Sequence, residues 1–269
     1  MERSSIAGQT ALVTGASSGI GKACAEQLAA LGVKLVIAAR RLERIEKTGE
    51  ELSAKHGVKV FPVQLDVQSH EQVLETLKTL DSQKIEIDIL INNAGLALTT
   101  DLMQEADVKN WDTMIDTNIK GLLYVTRAFL PSMVKRNRGH IVNIGSIAGH
   151  GTYRAGNVYS ATKHAVRAIS QSMRIDLMGT ALRVSEVDPG AVETEFSEVR
   201  WNDKERAKKL YEGFDPLVAD DIADAVCYCL TRPPHVNIAE IIVFPQAQAS
   251  MNDLYRKGEP IKSLLNPEK

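Results

Sequence analysis

The run Thr10-Ala11-Leu12-Val13, passing without a break into Thr14-Gly15-Ala16-Ser17-Ser18-Gly19-Ile20-Gly21, constrains this chain more than any other stretch. An apolar strand that empties into a glycine loop, with a helix-like segment at 22–31 behind it, is a building unit of open α/β sheets. Glycines let the backbone approach a pyrophosphate closely, and a helix start offers unpaired N–H groups and a positive dipole end to an anion. Gly15, Gly19, Ile20 and Gly21 therefore form a candidate phosphate cradle, to which Ser17 and Ser18 add hydroxyl donors. The plainer alternative is a turn that merely packs helix on strand. Flanking by a strand and a helix favours the cradle.

The alternation continues to the end of the chain. Strands are expected at 34–39, 59–65, 85–91, 140–144, 183–187 and 240–244, with helices at 42–55, at 111–133 and from about Asn157. A length of 269 residues with 44% hydrophobic content suits one large α/β domain or two smaller ones, and no Pro/Gly/Ser linker divides it. The expectation is a single domain over 1–269, doubly wound around a seven-stranded parallel sheet with helices on both faces.

Several strand ends carry polar groups suited to a dinucleotide. Where NAD-binding proteins place an acid for the ribose hydroxyls, this chain has Arg40-Arg41. Two guanidiniums without a carboxylate favour a 2′-phosphate, and hence NADP over NAD. Two solvated arginines opening the next helix are the alternative. Asp66-Val67 ends the third strand, ahead of Ser69-His70-Glu71-Gln72, which has the form of a capping box. Asp66 either accepts from an adenine amino group or simply forms the turn. Asn92-Asn93-Ala94-Gly95 follows the fourth strand, where small residues let a cofactor lie close.

The reacting groups are expected at Ser146, Tyr159 and Lys163. Tyr159 and Lys163 stand four residues apart, on one face of a helix. An ammonium fixed beside a phenol, whose ordinary pKa is ~10, lowers that pKa and readies the phenol to exchange protons. Ser146, at the end of the fifth strand, can donate to a carbonyl oxygen. No other tyrosine of the chain has a lysine four residues on. Asn118, polar among Ile115, Ile119 and Leu122, is either a structural bridge or part of a proton path through water.

A formal net charge of −2 and the lack of a basic arm argue against nucleic acid or an anionic membrane as main partner. The first residues lack a signal-peptide core, and no apolar run is long enough to span a bilayer, so a cytoplasmic protein is expected. Cys24, Cys227 and Cys229 fit neither a metal knuckle nor a redox pair; no metal is expected. The charged stretch near 195–215 follows the sixth strand on the cofactor side and is expected to be a lid over the substrate. A tail near 247–269 ends the chain.

Taken in order, Thr14-Gly15-x-x-x-Gly19-x-Gly21, Asn92-Asn93-Ala94-Gly95, Asn118, Ser146, Tyr159-x-x-x-Lys163 and Pro189-Gly190 resemble the short-chain dehydrogenase/reductase family over nearly the whole chain. The resemblance implies a Rossmann domain and hydride transfer at a nicotinamide. It implies Tyr159 as acid/base, Lys163 as the residue that lowers its pKa and binds the nicotinamide ribose, Ser146 as carbonyl holder and Asn118 as support of a water relay. Pro189, Gly190, Val192 and Thr194 would line the nicotinamide, and Val67, Asn93, Ala94 and Gly95 would also hold the cofactor. It also implies dimers or tetramers through the helices carrying Asn118 and Tyr159, with a homotetramer the expectation.

Asn93–Leu98, Trp111–Asn118, Gly156-Asn157-Val158-Tyr159 and Thr194-Glu195-Phe196-Ser197-x-Val199-Arg200 are similar, more narrowly, to the NADP-dependent 3-hydroxy acid dehydrogenases. That resemblance implies short hydroxy acids such as L-serine and L-allo-threonine as substrates. A substrate carboxylate needs a cation, for which Arg200 is the first candidate and Arg154 the second. His150 and His164 read as packing or surface residues. The competing readings are a carbonyl or 3-oxoacyl reductase of the same family, and a non-catalytic NADP-binding sensor.

Overall fold

In a computed structural model, which describes residues 4–258, seven strands form one parallel sheet in the order β3-β2-β1-β4-β5-β6-β7. The chain runs β1 (Thr10–Thr14), α1 (Gly19–Ala30), β2 (Lys34–Ala39), α2 (Leu42–His56), β3 (Val60–Gln64), α3 (His70–Ser82) and β4 (Ile89–Asn92). It continues with α4 (Val108–Ile115), α5 (Leu122–Arg136), β5 (His140–Ile144), α6 (Asn157–Asp176), β6 (Arg183–Pro189), α7 (Glu195–Trp201), α8 (Lys204–Leu210), α9 (Ala219–Leu230) and β7 (Glu240–Val243).

Side-chain alternation along β1 explains the two layers. Ala11 and Val13 pack with Cys24 and Leu28 of α1, Ile45 of α2 and Ile222 and Val226 of α9. Leu12 points the other way, to Val73 of α3, Val125 and Phe129 of α5 and Met173 of α6. Strands with both faces buried read as unbroken apolar runs, as β1 and β2 do. Burying one such side chain contributes about 1.5–3 kcal/mol. Cys24, Cys227 and Cys229 are unpaired and buried in the α1/α9 layer.

Four local expectations differ from the structure. Residues 85–88 are not strand: Lys84 takes a left-handed turn (φ 57°), and Asp88 still pairs its backbone with Thr10 and His140 while its carboxylate meets Arg138. The helix expected at 111–133 is interrupted by a π-helical segment, Asp116–Gly121. Gly121 there lies so close to Val67 that a Cβ would come within 2.7 Å of it. Only half of the capping box forms: Ser69 Oγ accepts from Gln72 N at 3.2 Å, while Gln72 Oε1 accepts from Asp66 N instead. Finally, α1 begins at Gly19, earlier than expected. Among the described residues no helix is long and apolar enough to cross a membrane.

Candidate active site

The order β3-β2-β1-β4 reverses direction between β1 and β4, and a parallel sheet opens a crevice at such a point outside its strand ends. A cleft of about 790 Å³ lies there. Of the site residues singled out in the sequence, all line it except Gly21 and Asn118.

The glycine loop is built for close approach. Gly15 (φ 67°) and Gly19 (φ 53°) occupy the left-handed region, and a Cβ on Gly15 would stand 2.9 Å from Asn93 Nδ2. Asn93 braces the loop by donating to Thr14 O at 2.9 Å. Gly21 lies beneath rather than in the cleft; a Cβ there would come 2.5 Å from Gly15 O. Ser18, at the N-cap of α1, makes no side-chain cap. Its Oγ accepts from Arg41 Nη2 at 3.0 Å, and Arg41 also donates to Ser17 Oγ at 2.9 Å. The first N–H groups of α1 are thereby left to an anion. Asp66 forms the turn, accepting from Gln68 N at 3.0 Å, and lines the cleft as well.

At the other end of the cleft, β5 delivers Ser146 and α6 delivers Tyr159 and Lys163, all three buried. Lys163 Nζ donates to Ile144 O at 2.9 Å. Burial lowers the lysine to about 8, with the Asp188 and Glu186 carboxylates pulling it back up. Burial likewise pushes Tyr159 up to about 12, against the Ser146 hydroxyl and the Arg200 guanidinium. Loss of water around the ring thus dominates the phenol, and the groups that lower it are the Ser146 hydroxyl and the Arg200 guanidinium rather than the lysine expected. Lys163 Nζ stands 6.0 Å from the ring centroid, with a carbonyl of β5 as its partner.

Asn118 acts as a bridge. Its Oδ1 accepts from Leu96 N at 2.8 Å, and its Nδ2 donates to Leu96 O at 2.8 Å and to Thr162 Oγ1 at 3.0 Å. The π-helical turn presents this amide to the loop after β4, a use such turns often have at functional sites.

Arg200 reaches the reacting end. Its guanidinium carbon lies 5.7 Å from the Tyr159 ring centroid, and its Nη2 donates to Tyr153 Oη at 2.5 Å. Arg154 also lines the cleft. His150 Nε2 is bonded to Asp188 Oδ2 at 2.9 Å, and His164 Nδ1 sits 2.9 Å from Ser160 O. Neither histidine lines the cleft.

Sequence reasoning missed three features. Tyr153 and Glu195 both line the cleft; no motif marks Tyr153, and the match over 194–200 contains Glu195 without giving it a role. Under Ser146 lie two buried carboxylates, Glu186 and Asp188, on the same face of β6. Asp188 Oδ1 accepts from Ser146 N at 2.9 Å. They fit only because residue 145 is glycine: a Cβ there would come within 2.6 Å of Glu186 Oε1 and closer still to Asp188. Burial, reinforced by Asp188, raises Glu186 to about 8; burial and Glu240 hold Asp188 above the usual carboxylate range. The signal was the Glu-x-Asp spacing within a buried strand. The described tail also folds onto the chain's own cleft through Gln248, Met251 and Leu254. Its remaining part, from 259 on, lies outside the described residues.

Comparison with known proteins agrees with this geometry. Residues 9–205 match the family described as short chain dehydrogenase. An NADP-dependent 3-hydroxy acid dehydrogenase of Schizosaccharomyces pombe is 44% identical over 252 residues, covering 93% of this chain and 97% of that protein. One from Escherichia coli strain K12 is 45% identical over 240 residues, covering 88% and 95%. A closed form of serine dehydrogenase complexed with NADP+ superposes with a TM-score of 0.86 at 44% identity, covering 93% of this chain and all of that one. With a parallel sheet that opens at β1/β4, a braced glycine loop and Ser146, Tyr159 and Lys163 at one end of the cleft, the chain belongs to the short-chain dehydrogenase family and is an oxidoreductase acting on hydroxyl groups.

Proposed function

We propose that this enzyme oxidises short 3-hydroxy acids with NADP, L-serine and L-allo-threonine among them, and that Tyr159 is the acid/base. One observation carries the substrate reading: Arg200, a fixed cation on the cleft wall, lies 5.7 Å from the Tyr159 ring. A carboxylate paired with this guanidinium brings the neighbouring hydroxyl carbon to the phenol, and pairing of that kind is directional. The relatives' printed names support the same substrate class.

The cleft fits the cofactor by its glycine cradle, where a Cβ on Gly15 would collide with Asn93, and by Arg40 and Arg41 at the end of β2. Bound there, NADP supplies the acceptor for the substrate's hydride. Ser17, Ser18, Gly19 and Ile20 would hold the pyrophosphate, and Arg40 and Arg41 the 2′-phosphate. Asp66 and Val67 would meet the adenine, while Asn93, Ala94, Gly95, Pro189, Gly190, Val192 and Thr194 would lie along the rest. Tyr159, as phenolate, takes the hydroxyl proton while Ser146 donates to the substrate oxygen. Lys163 contributes to the ribose site, and Asn118 holds the backbone at Leu96 beside a water path. Residues 195–215 act as lid.

A homotetramer assembled through α5 and α6 is supported by exposed apolar side chains there, Leu123, Val134 and Ile175; light scattering reads its mass. A cytoplasmic location is consistent with the described helices. The test of function is initial-rate measurement with NADP and NAD, using L-serine, L-allo-threonine and 3-hydroxypropionate against a secondary alcohol lacking a carboxylate and a 3-hydroxyacyl thioester. Rates that require both NADP and the carboxylate support the proposal. Activity confined to the uncharged alcohol, or to thioesters, would favour a carbonyl or 3-oxoacyl reductase, and no turnover with any of them a cofactor sensor.

A further inference from the structure

Helix α7 carries a charge near each end, and the two charges face opposite ends of the cleft. At its first residue, Glu195 Oε2 lies 3.2 Å from Arg41 Nη1, and Oε1 lies 3.0 Å from Arg44 Nη1. That same Arg41 is the one bonded to Ser17 and Ser18 of the glycine loop. In the last turn, Arg200 donates to Tyr153 and stands over Tyr159. Roughly 8 Å of helix axis separates the two residues. One short rigid body therefore touches both the arginine set aside for a 2′-phosphate and the tyrosine at the reacting end.

We propose that Glu195 is a specificity-determining residue: its carboxylate occupies the 2′-phosphate subsite until that phosphate displaces it from Arg41, and α7 carries the displacement to Arg200. The proposal rests on the NADP reading above. Four of the five N–H donors of the Arg41 guanidinium are already engaged, by Ser17, Ser18 and Glu195, so a phosphate held in a two-pronged fork must displace one of them. A phosphate monoester carries about −1.5 to −2 charges against one for a carboxylate, so it wins the fork. Arg41, Arg44 and Glu195 are each about half exposed (43%, 50% and 42%), which keeps each ion pair weak and displaceable. Arg44, in the first turn of α2 and away from the strand end, is the partner towards which Glu195 is drawn once Arg41 is taken. A cofactor without the 2′-phosphate leaves Glu195 where it is. NADP and NAD then differ in where they leave Arg200 as well as in how tightly they bind.

The test is calorimetric titration of the whole chain, wild type and Glu195→Gln, with 2′,5′-ADP and with 5′-ADP, followed by 3-hydroxypropionate on each complex. The exposed position of Glu195 makes the variant expected to fold normally, which a melting curve checks. With the internal carboxylate neutralised, 2′,5′-ADP is expected to bind about five- to tenfold tighter while 5′-ADP is unchanged within twofold, a change of about 1–1.4 kcal/mol. In wild type, 3-hydroxypropionate should bind more tightly to the 2′,5′-ADP complex than to the 5′-ADP complex, and the variant should lose that difference, since coupling between two sites is reciprocal. Unchanged or weaker 2′,5′-ADP binding by the variant would overturn the proposal and make Glu195 a brace that orients Arg41. Wild-type protein that binds both nucleotides equally would instead sink the NADP reading, and the proposal with it.

Discussion

Lys163 and Tyr159 share one face of α6, yet the ammonium stands 6.0 Å from the phenol's ring centroid and donates to the carbonyl of Ile144. The hydroxyl of Ser146 and the guanidinium of Arg200 are the groups that lower the Tyr159 pKa, against burial that holds it at about 12. This division of labour makes Ser146 the sharpest probe of the proton step.

If Tyr159 must be ionised to accept the substrate proton, kcat/KM for oxidation rises with pH on its way to the phenol's pKa. Ser146→Ala removes a group that lowers that pKa, so the rising limb should move to higher pH and turnover should fall about 10²–10³-fold, the usual cost of one donor to a reacting oxygen. A pH–rate profile of the two proteins decides it. A limb that stays in place would remove Ser146 from the proton step.

Arg200 is testable through substrate charge. Arg200→Met keeps an unbranched apolar stem and deletes the cation. KM for 3-hydroxypropionate should rise about 10- to 100-fold, the worth of a charged hydrogen bond, with an uncharged alcohol affected no more than about twofold. Equal losses on both substrates would show that Arg200 holds up Tyr153 and the lid rather than the substrate.

The carboxylates beneath Ser146 make a stability prediction. Glu186 has its folded pKa raised, from 4.5 to about 8, so between those values the folded chain binds a proton that the unfolded chain has lost. Stability from this group is present below about pH 4.5 and is lost as pH rises towards 8. Glu186→Gln should therefore gain on the wild type across that window, by at most about 1.4 kcal/mol per pH unit. Urea unfolding at several pH values measures the difference. A gap independent of pH would mean that Glu186 is ionised throughout.

How much could be read without coordinates follows from the kind of signal each part carries. Strands β1 and β2 were legible because both faces are buried and the apolar runs end at glycine or arginine. Tyr159 and Lys163 were legible because i,i+4 spacing on a helix survives any tertiary arrangement, and Ser146 because it follows the end of an apolar strand. The π-helical turn at Asp116–Gly121 was not, since one extra residue per turn barely disturbs the apolar pattern around Ile115, Ile119 and Leu122. Glu186 and Asp188 were hidden for another reason: their meaning depends on Gly145 of the neighbouring strand, a pairing that exists only once β5 lies against β6. Glu195 and Tyr153 needed the lid's position, which charge composition alone does not specify.

The most direct test of the catalytic proposal is Tyr159→Phe, compared with the wild type for both turnover and binding of NADP and 3-hydroxypropionate. Phenylalanine keeps the ring that packs against Phe196 and removes only the hydroxyl. The expected result is turnover lower by about 10²–10⁴-fold, the range of general acid–base catalysis, with both dissociation constants unchanged within about threefold. Turnover within tenfold of the wild type, at equal binding, would mean that another group exchanges the proton.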